Sequence, residues 1–166
     1  MYTSIGHFIA DWAYESEATL KIFENISNEA LSKKDCENVR SIGRLSWHIA
    51  ITIAEMMNKT GLQVNGRQEH SQPPINIEEI IKAYRDSSIS LVEEIKLKWT
   101  DKSLAEENIM YGESWKNGKT LSVLIHHQIH HRGQLTILMR LEGLKVPGIY
   151  GPAKEDWAVW NMPAAE

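Results

Sequence analysis

A single cysteine, five prolines and no long apolar run set the first limits on this chain of 166 residues. Cys36 has no partner within the chain, so no internal disulfide can brace the fold. It lies between Asp35 and Glu37 in a stretch that reads as loop, and is expected to be an incidental exposed thiol rather than a nucleophile. The N-terminal MYTSIGHFIADW lacks a basic start, and Asp11 interrupts its apolar residues, unlike a secretory leader. No later stretch approaches the roughly 18 apolar residues of a bilayer span. The expectation is a cytoplasmic protein without a membrane partner. Surplus positive charge is also missing: 18 basic residues face 22 acidic ones, a formal charge of -4, and no basic run occurs. Binding to nucleic acid through phosphate neutralisation is therefore not expected.

Internal repeats, low-complexity tracts and runs alternating at the strand period are almost absent too. What is present is a 42% hydrophobic content, enough at this length to bury a core, so residues 1–166 are expected to form one domain. Between Thr3 and Ile26, the residues Ile5, Ile9, Trp12, Ser16, Leu20, Phe23 and Ile26 recur every three or four positions, the helical period. A second helix is predicted from near Val39 to about Lys59, closed by Gly61. Asn76 makes a good N-cap with Glu79 in the capping-box position. It opens a third helix to about Trp99, with Ile77, Ile81, Tyr84, Ser88, Leu91 and Ile95 inward. A fourth runs from about Thr120 to Glu142 and ends at Gly143. Before it, Ile109-Met110-Tyr111 and Ser114-Trp115-Lys116 flank turn formers and suggest a short hairpin. Four helices and little else predict an all-α four-helix bundle. The second connection, Leu62 to Ile75, is long enough at roughly 3.3 Å per residue to return along a helix of about 30 Å.

Four of the seven histidines crowd into His126-His127-Gln128-Ile129-His130-His131. Residues four apart share a helix face, so His126 with His130 and His127 with His131 are both spaced to share a metal ion. On a wheel of about 100° per residue, Leu124, His127, Leu135 and Leu138 fall within roughly 40° of His131. That stripe is predicted to face the core, which favours His127 and His131 and leaves His126 and His130 as surface or interface residues. Two imidazoles in an apolar interior need compensation, and a metal ion would supply it. On the second helix, His48 shares its stripe with Leu45, Thr52, Glu55 and Lys59. It is the candidate third ligand, because bundles build metal sites from inward side chains on facing helices. Glu55, about two turns on, is a candidate base or an acceptor for a ligand's ring N–H. Arg132, roughly 100° from the predicted core direction, is expected to make a structural or interface contact. Mid-helix Gly133 suggests that another backbone packs close. His7 and His70 are expected to be solvated.

These motifs resemble those of the DinB/YfiT-like metalloenzymes. The resemblance is carried by Trp47-His48-Ile49, by His127-Gln128-Ile129-His130-His131-Arg132-Gly133-Gln134 and by the ending Val146-Pro147-Gly148-Ile149-Tyr150-Gly151-Pro152. It spans nearly the whole chain and implies an up-down-down-up bundle, the ligands His48, His127 and His131, and a homodimer. Three imidazoles leave a coordination position open, as catalytic rather than structural sites do. A water there could act as nucleophile, or a thiol could be ionised. The resemblance favours thiol transfer with a low-molecular-weight thiol co-substrate. Zn and Ni, with Fe as a third candidate, all accept imidazole. The expected function is a metal-dependent enzyme acting on a small-molecule substrate. The alternative is a non-catalytic, metal-stabilised module of the stress response. A fourth helix apolar around its circumference also suggests cover by a second copy. The aromatic tail, with Tyr150, Trp157 and Trp160, is expected to fold back over a bundle end.

Overall fold

The computed structural model describes residues 1–34, 36–68 and 70–164; Asp35 and Glu69, both expected in loops, and the last two residues lie outside them. The four predicted helices are α1 (Ile5–Phe23), α2 (Ile42–Asn58), α3 (Ile77–Lys98) and α4 (Asn117–Leu141). Between α3 and α4 the suggested hairpin forms from β1 (Glu107–Met110) and β2 (Glu113–Lys116). Its two turn residues, Tyr111 and Gly112, both take left-handed backbone with φ of 52° and 85°. That pair of positive angles matches the right-handed twist of the flanking strands.

Local chemistry explains the helix ends. α2 begins three residues later than the expected start at Val39, because the Ser41 side chain accepts the Arg44 N–H at 3.1 Å and caps the first turn. Gly43 follows immediately, and a side chain there would lie 2.8 Å from the Leu31 carbonyl, so glycine is required for the incoming chain to pack. At the start of α3, Asn76 accepts the Glu78 N–H at 3.0 Å, while the Ile77 N–H donates to Asn28 at 2.8 Å. No helix among the described residues is long and apolar enough to cross a membrane.

Contacts along the connections give the helix directions. Leaving α2, the chain doubles back: the Gln63 N–H donates to Glu94 at 2.6 Å and the Asn65 N–H to Ser90 at 2.9 Å. Farther on, the Ser71 carbonyl accepts from Arg44 and Trp47 at 3.0 and 3.1 Å. The segment therefore runs from the common C-terminal end of α2 and α3 to their common N-terminal end, and these helices are parallel. The Tyr2 N–H donates to the Gly118 carbonyl, and Arg132 meets Glu15, so α1 and α4 are parallel as well. Ile5 bonds Asp101 and Trp12 bonds Ser88, which sets α1 antiparallel to α3. The order is up-down-down-up, and the long second connection exists to carry the chain back along the bundle.

The core is built from Phe8, Trp12 and Ile22 of α1, Ile49 and Ile53 of α2, Tyr84 and Leu91 of α3, and Leu121, Leu135 and Met139 of α4. The buried face of α4 differs from the predicted stripe. It includes Gln128 and Arg132 and is centred about 65° around the helix from His131. Leu138 is only partly buried, and Ile137 and Leu141 are each 61% exposed. A wheel that sorts residues by polarity misplaces the core here, because two polar side chains are buried with their own partners. The Gln128 Nε2 donates to the Ile49 carbonyl at 3.1 Å. Arg132 donates to the Glu15 carboxylate at 2.5 Å, to the Glu15 carbonyl at 2.9 Å and to Thr19 at 3.2 Å. Gly133 is exposed, with nothing within 4 Å of where a side chain would begin, so the expected close backbone is not there.

The tail folds back, but not as an aromatic lid. The Tyr150 hydroxyl donates to Glu15 at 2.7 Å and accepts from Arg132 at 2.5 Å. Burial and the Glu15 carboxylate push its pKa up to about 12. Arg140 pairs with Glu155, and Val146 and Ala153 are buried, whereas Trp157 and Trp160 pack against each other and Trp160 stays exposed.

Arg132 and Glu15 form a nearly dry ion pair, and removing one partner strands the other charge. Arg132→Met should cost about 3–5 kcal/mol of unfolding free energy, read from the urea midpoint. Glu15→Leu with Arg132→Met should recover most of it, because an apolar pair strands no charge. A double variant as unstable as the single one would contradict the desolvation argument.

Candidate metal centre

α2 and α4 pack antiparallel, and their contact places His48 against His127 and His131. The three residues offer one nitrogen each, and these nitrogens all lie within 4.8 Å of one another. The Nε2 atoms of His48 and His127 are 3.1 Å apart, and the three ring centroids are separated by 4.3 to 4.9 Å. Because α4 is rotated from its predicted setting, His127 and His131 sit on the rim of the bundle rather than on its axis. All three rings are half-buried.

Among the described residues, the rings differ in what their other nitrogen meets. The Gln134 amide nitrogen bonds His130 at 3.0 Å, which turns its oxygen to accept the His131 Nδ1–H at 2.8 Å. That bond fixes the tautomer and leaves His131 Nε2 as the donor atom for an ion, as partners behind a metal ligand commonly do. The His127 Nδ1 is buried with no hydrogen-bond partner among the described residues. Whichever tautomer His127 adopts, that atom stays uncompensated.

Burial governs the protonation of the cluster. It lowers the His127 pKa to about 3, helped by repulsion from His131 and His48. It lowers that of His48 to about 4, helped by Arg40, His131 and Arg44 and opposed by Glu55. His131 is lowered as well, chiefly by burial, with the bond to Gln134 acting the other way. All three imidazoles are therefore neutral near pH 7, the form in which histidine binds metal.

Glu55 is engaged elsewhere. Its carboxylate pairs with Lys59 and accepts the Tyr111 hydroxyl at 2.7 Å, tying the hairpin tip to α2. No hydrogen bond joins it to the three histidines among the described residues, although its charge reaches His48. His126 and His130 are exposed, as are His7, His70 and Cys36. Beside His131 opens a cleft of about 510 Å³, lined by Asn38, Val39, Arg40, Leu45, Gln134, Ile137 and Leu138. Sequence reasoning missed two contributors to this surface. Gln134 could have been found from its i, i+3 spacing to His131, whereas Arg40 lies in a loop whose position no periodicity announces.

The DinB family model matches residues 1–164. The chain is similar to YrdA of Bacillus subtilis, 37% identical over 164 residues, which covers 99% of this chain and 98% of that protein. YjoA of the same organism is 22% identical over 145 residues, 84% of this chain and 88% of that protein. A crystal structure of a DinB-like protein from Bacillus cereus superposes with a TM-score of 0.86, at 38% identity, and covers 90% of this chain and all of that one. The structure of YjoA superposes at 0.68 with 19% identity, a likeness of fold alone.

The lowered histidine pKa values make a pH prediction whose sign is fixed. The unfolded chain takes up protons as pH falls below the ordinary value of 6.5, while folded His48 and His127 refuse them until about 4 and about 3. Stability of the metal-free protein is therefore complete above about pH 6.5 and is lost as pH falls through the folded values. Its melting temperature should drop between about pH 7 and pH 5. In His48→Gln with His127→Gln the slope over that range should flatten; an unchanged slope would assign the acid sensitivity to other groups.

Proposed function

The chain belongs to the DinB family, and on that footing we propose that His48, His127 and His131 hold a divalent transition metal with a position left open, making the protein a metal-dependent enzyme of small-molecule chemistry. The observation that carries this reading is the convergence of three imidazole nitrogens within 4.8 Å. Two nitrogens each about 2.0–2.1 Å from a tetrahedral zinc would stand about 3.3 Å apart. His48 and His127 are already at 3.1 Å, so an ion needs little more than an adjustment of His131. A neutral, half-buried trio is also the donor chemistry that zinc and nickel take readily, with iron(II) as a further candidate.

Bound there, the metal supplies a Lewis acid that ionises a thiol or a water at neutral pH. The residues of the chain do the rest. Gln134 holds the His131 ring in one tautomer. Glu55, seven residues beyond His48 on the same helix, places a negative charge that offsets part of the positive charge of a loaded site. It is also the acid–base candidate of the site, once a substrate loosens its contacts with Lys59 and Tyr111. Transfer of a low-molecular-weight thiol and activation of water both fit this arrangement.

A non-catalytic, metal-stabilised module is the competing reading, and the cleft beside His131 speaks against it. A structural ion is closed off by protein ligands, whereas three histidines next to open space leave room for a reactant. A homodimer belongs to the same proposal. Leu141, 61% exposed on α4, is an apolar side chain that a second copy would cover.

Metal analysis and spectroscopy test this directly. The wild type should take up one equivalent of zinc, nickel or cobalt, and His48→Ala, His127→Ala and His131→Ala should each lose it with helical circular dichroism intact. Cobalt-loaded protein should change its visible spectrum on addition of a small thiol. A variant lacking two of the three histidines that still holds a full equivalent would sink the site. A cobalt spectrum indifferent to thiol and azide would sink the open position and favour the structural role.

A further inference from the structure

The cleft beside His131 has a charge imbalance that describes its ligand. Among the described residues its lining includes Arg40 and His131 but no aspartate or glutamate, and the remaining polar groups are the amides of Asn38 and Gln134. Arg40 is exposed and has no hydrogen-bond or ion-pair partner among the described residues. Its charge is felt at the histidines, where it adds to the burial that lowers the pKa of His48, His127 and His131. Arg44, the neighbouring cation, is different: its guanidinium donates to the Ser71 carbonyl at 3.0 Å. Among the described residues Arg40 is thus a guanidinium without a partner, at the edge of a cleft that carries no carboxylate.

The rest of the lining is apolar. Leu45 is buried, Leu138 is partly covered, and Val39 and Ile137 are 36% and 61% exposed. A volume of about 510 Å³ lies within the range that small-molecule sites occupy. From this combination we propose that the cleft binds an organic carboxylate with an apolar body: its carboxylate pairs with Arg40, its body lies against Leu45, Ile137 and Leu138, and its far end reaches the donor face of His131. A guanidinium matches the planar carboxylate through two parallel hydrogen bonds, which a neutral group of the same shape cannot accept. Covering Ile137 and Val39 would remove apolar surface from water and supply the non-directional part of the affinity. The inference deepens the metal-dependent reading and rests on it only for the chemistry at the far end; recognition by Arg40 requires no ion.

Octanoate and its neutral counterpart octanamide are suitable probes, titrated by calorimetry into the metal-free full-length protein. Near pH 8 the histidines carry no charge that could itself attract an anion. Octanoate should bind more tightly than octanamide to the wild type. Arg40→Met should weaken octanoate about fivefold to tenfold while leaving octanamide unchanged, and Arg40→Lys should restore part of the difference. Arg40 is exposed, so these variants should fold and should take up metal as the wild type does. Octanoate binding no tighter than octanamide, or binding that ignores Arg40→Met, would overturn the proposal. The outcomes separate the two claims: carboxylate selectivity in a protein that takes up no metal would defeat the metal reading alone, and a metal-loaded protein without such selectivity would defeat the cleft assignment alone.

Discussion

The hydrogen bond from Gln128 to the Ile49 carbonyl fixes the register of α4 against α2, and the site depends on that register. Gln128 follows His127, and Ile49 follows His48, so the bond that locks the two helices lies one residue from the histidine contact. Four residues later the arrangement repeats towards the other neighbour, with Arg132 after His131 reaching Glu15, Thr19 and Tyr150. Each clustered histidine on α4 is thus followed by a buried polar anchor, one to α2 and one to α1. A helix advances about 100° per residue, so a residue next to an anchor must lie about 100° round from it. With the anchors pointing inward, the histidines are carried to the rim on the α2 side. Turning α4 to bring both histidines to the bundle axis would break both anchors.

That placement carries an energetic conflict, which is part of the argument for function. The described protein atoms leave His127 Nδ1 without a partner, and burial holds all three rings neutral against their ordinary pKa. Apolar residues of similar size would pack in this position without such a cost. Gln134 meanwhile orients a ring that packing alone would leave free to turn. A cluster held at a cost to folding and then oriented by a dedicated side chain supports the proposal of a ligand site rather than a core contact.

Most of the fold was legible because the helices obey their period and their stop signals. Ser41, Asn76, Gly43 and the Tyr111-Gly112 turn are local chemistry, readable once the neighbouring residues are considered together. The three histidines were also legible, from spacing on α4 and from a stripe on α2. The rotation of α4 was not. It is set by Gln128 and Arg132, whose partners Ile49, Glu15 and Tyr150 lie far away in sequence, and a helical wheel assigns such residues to the surface. Gly133 failed for the opposite reason: with no side chain it permits close packing, but nothing obliges a neighbour to come near. Arg40 was invisible because its role comes from a loop folding beside α4, a distance no one-dimensional pattern records.

The up-down-down-up order bears on the chemistry as well as on the path of the chain. Parallel α2 and α3 force the segment from Lys59 to Asn76 to run the length of the bundle, where it bonds α3 through Glu94 and Ser90 and α2 through Arg44 and Trp47. That segment covers the α2–α3 side of the molecule. The α2–α4 side, where the histidines are, carries the cleft beside His131. In an up-down-up-down bundle, short turns would link successive helices and no long strap would be needed. Here the strap runs along one groove of α2, where a cleft of about 520 Å³ opens between Trp47, Arg67 and Lys82, and the histidines lie along the other, so the topology gives the two sides of α2 different surroundings.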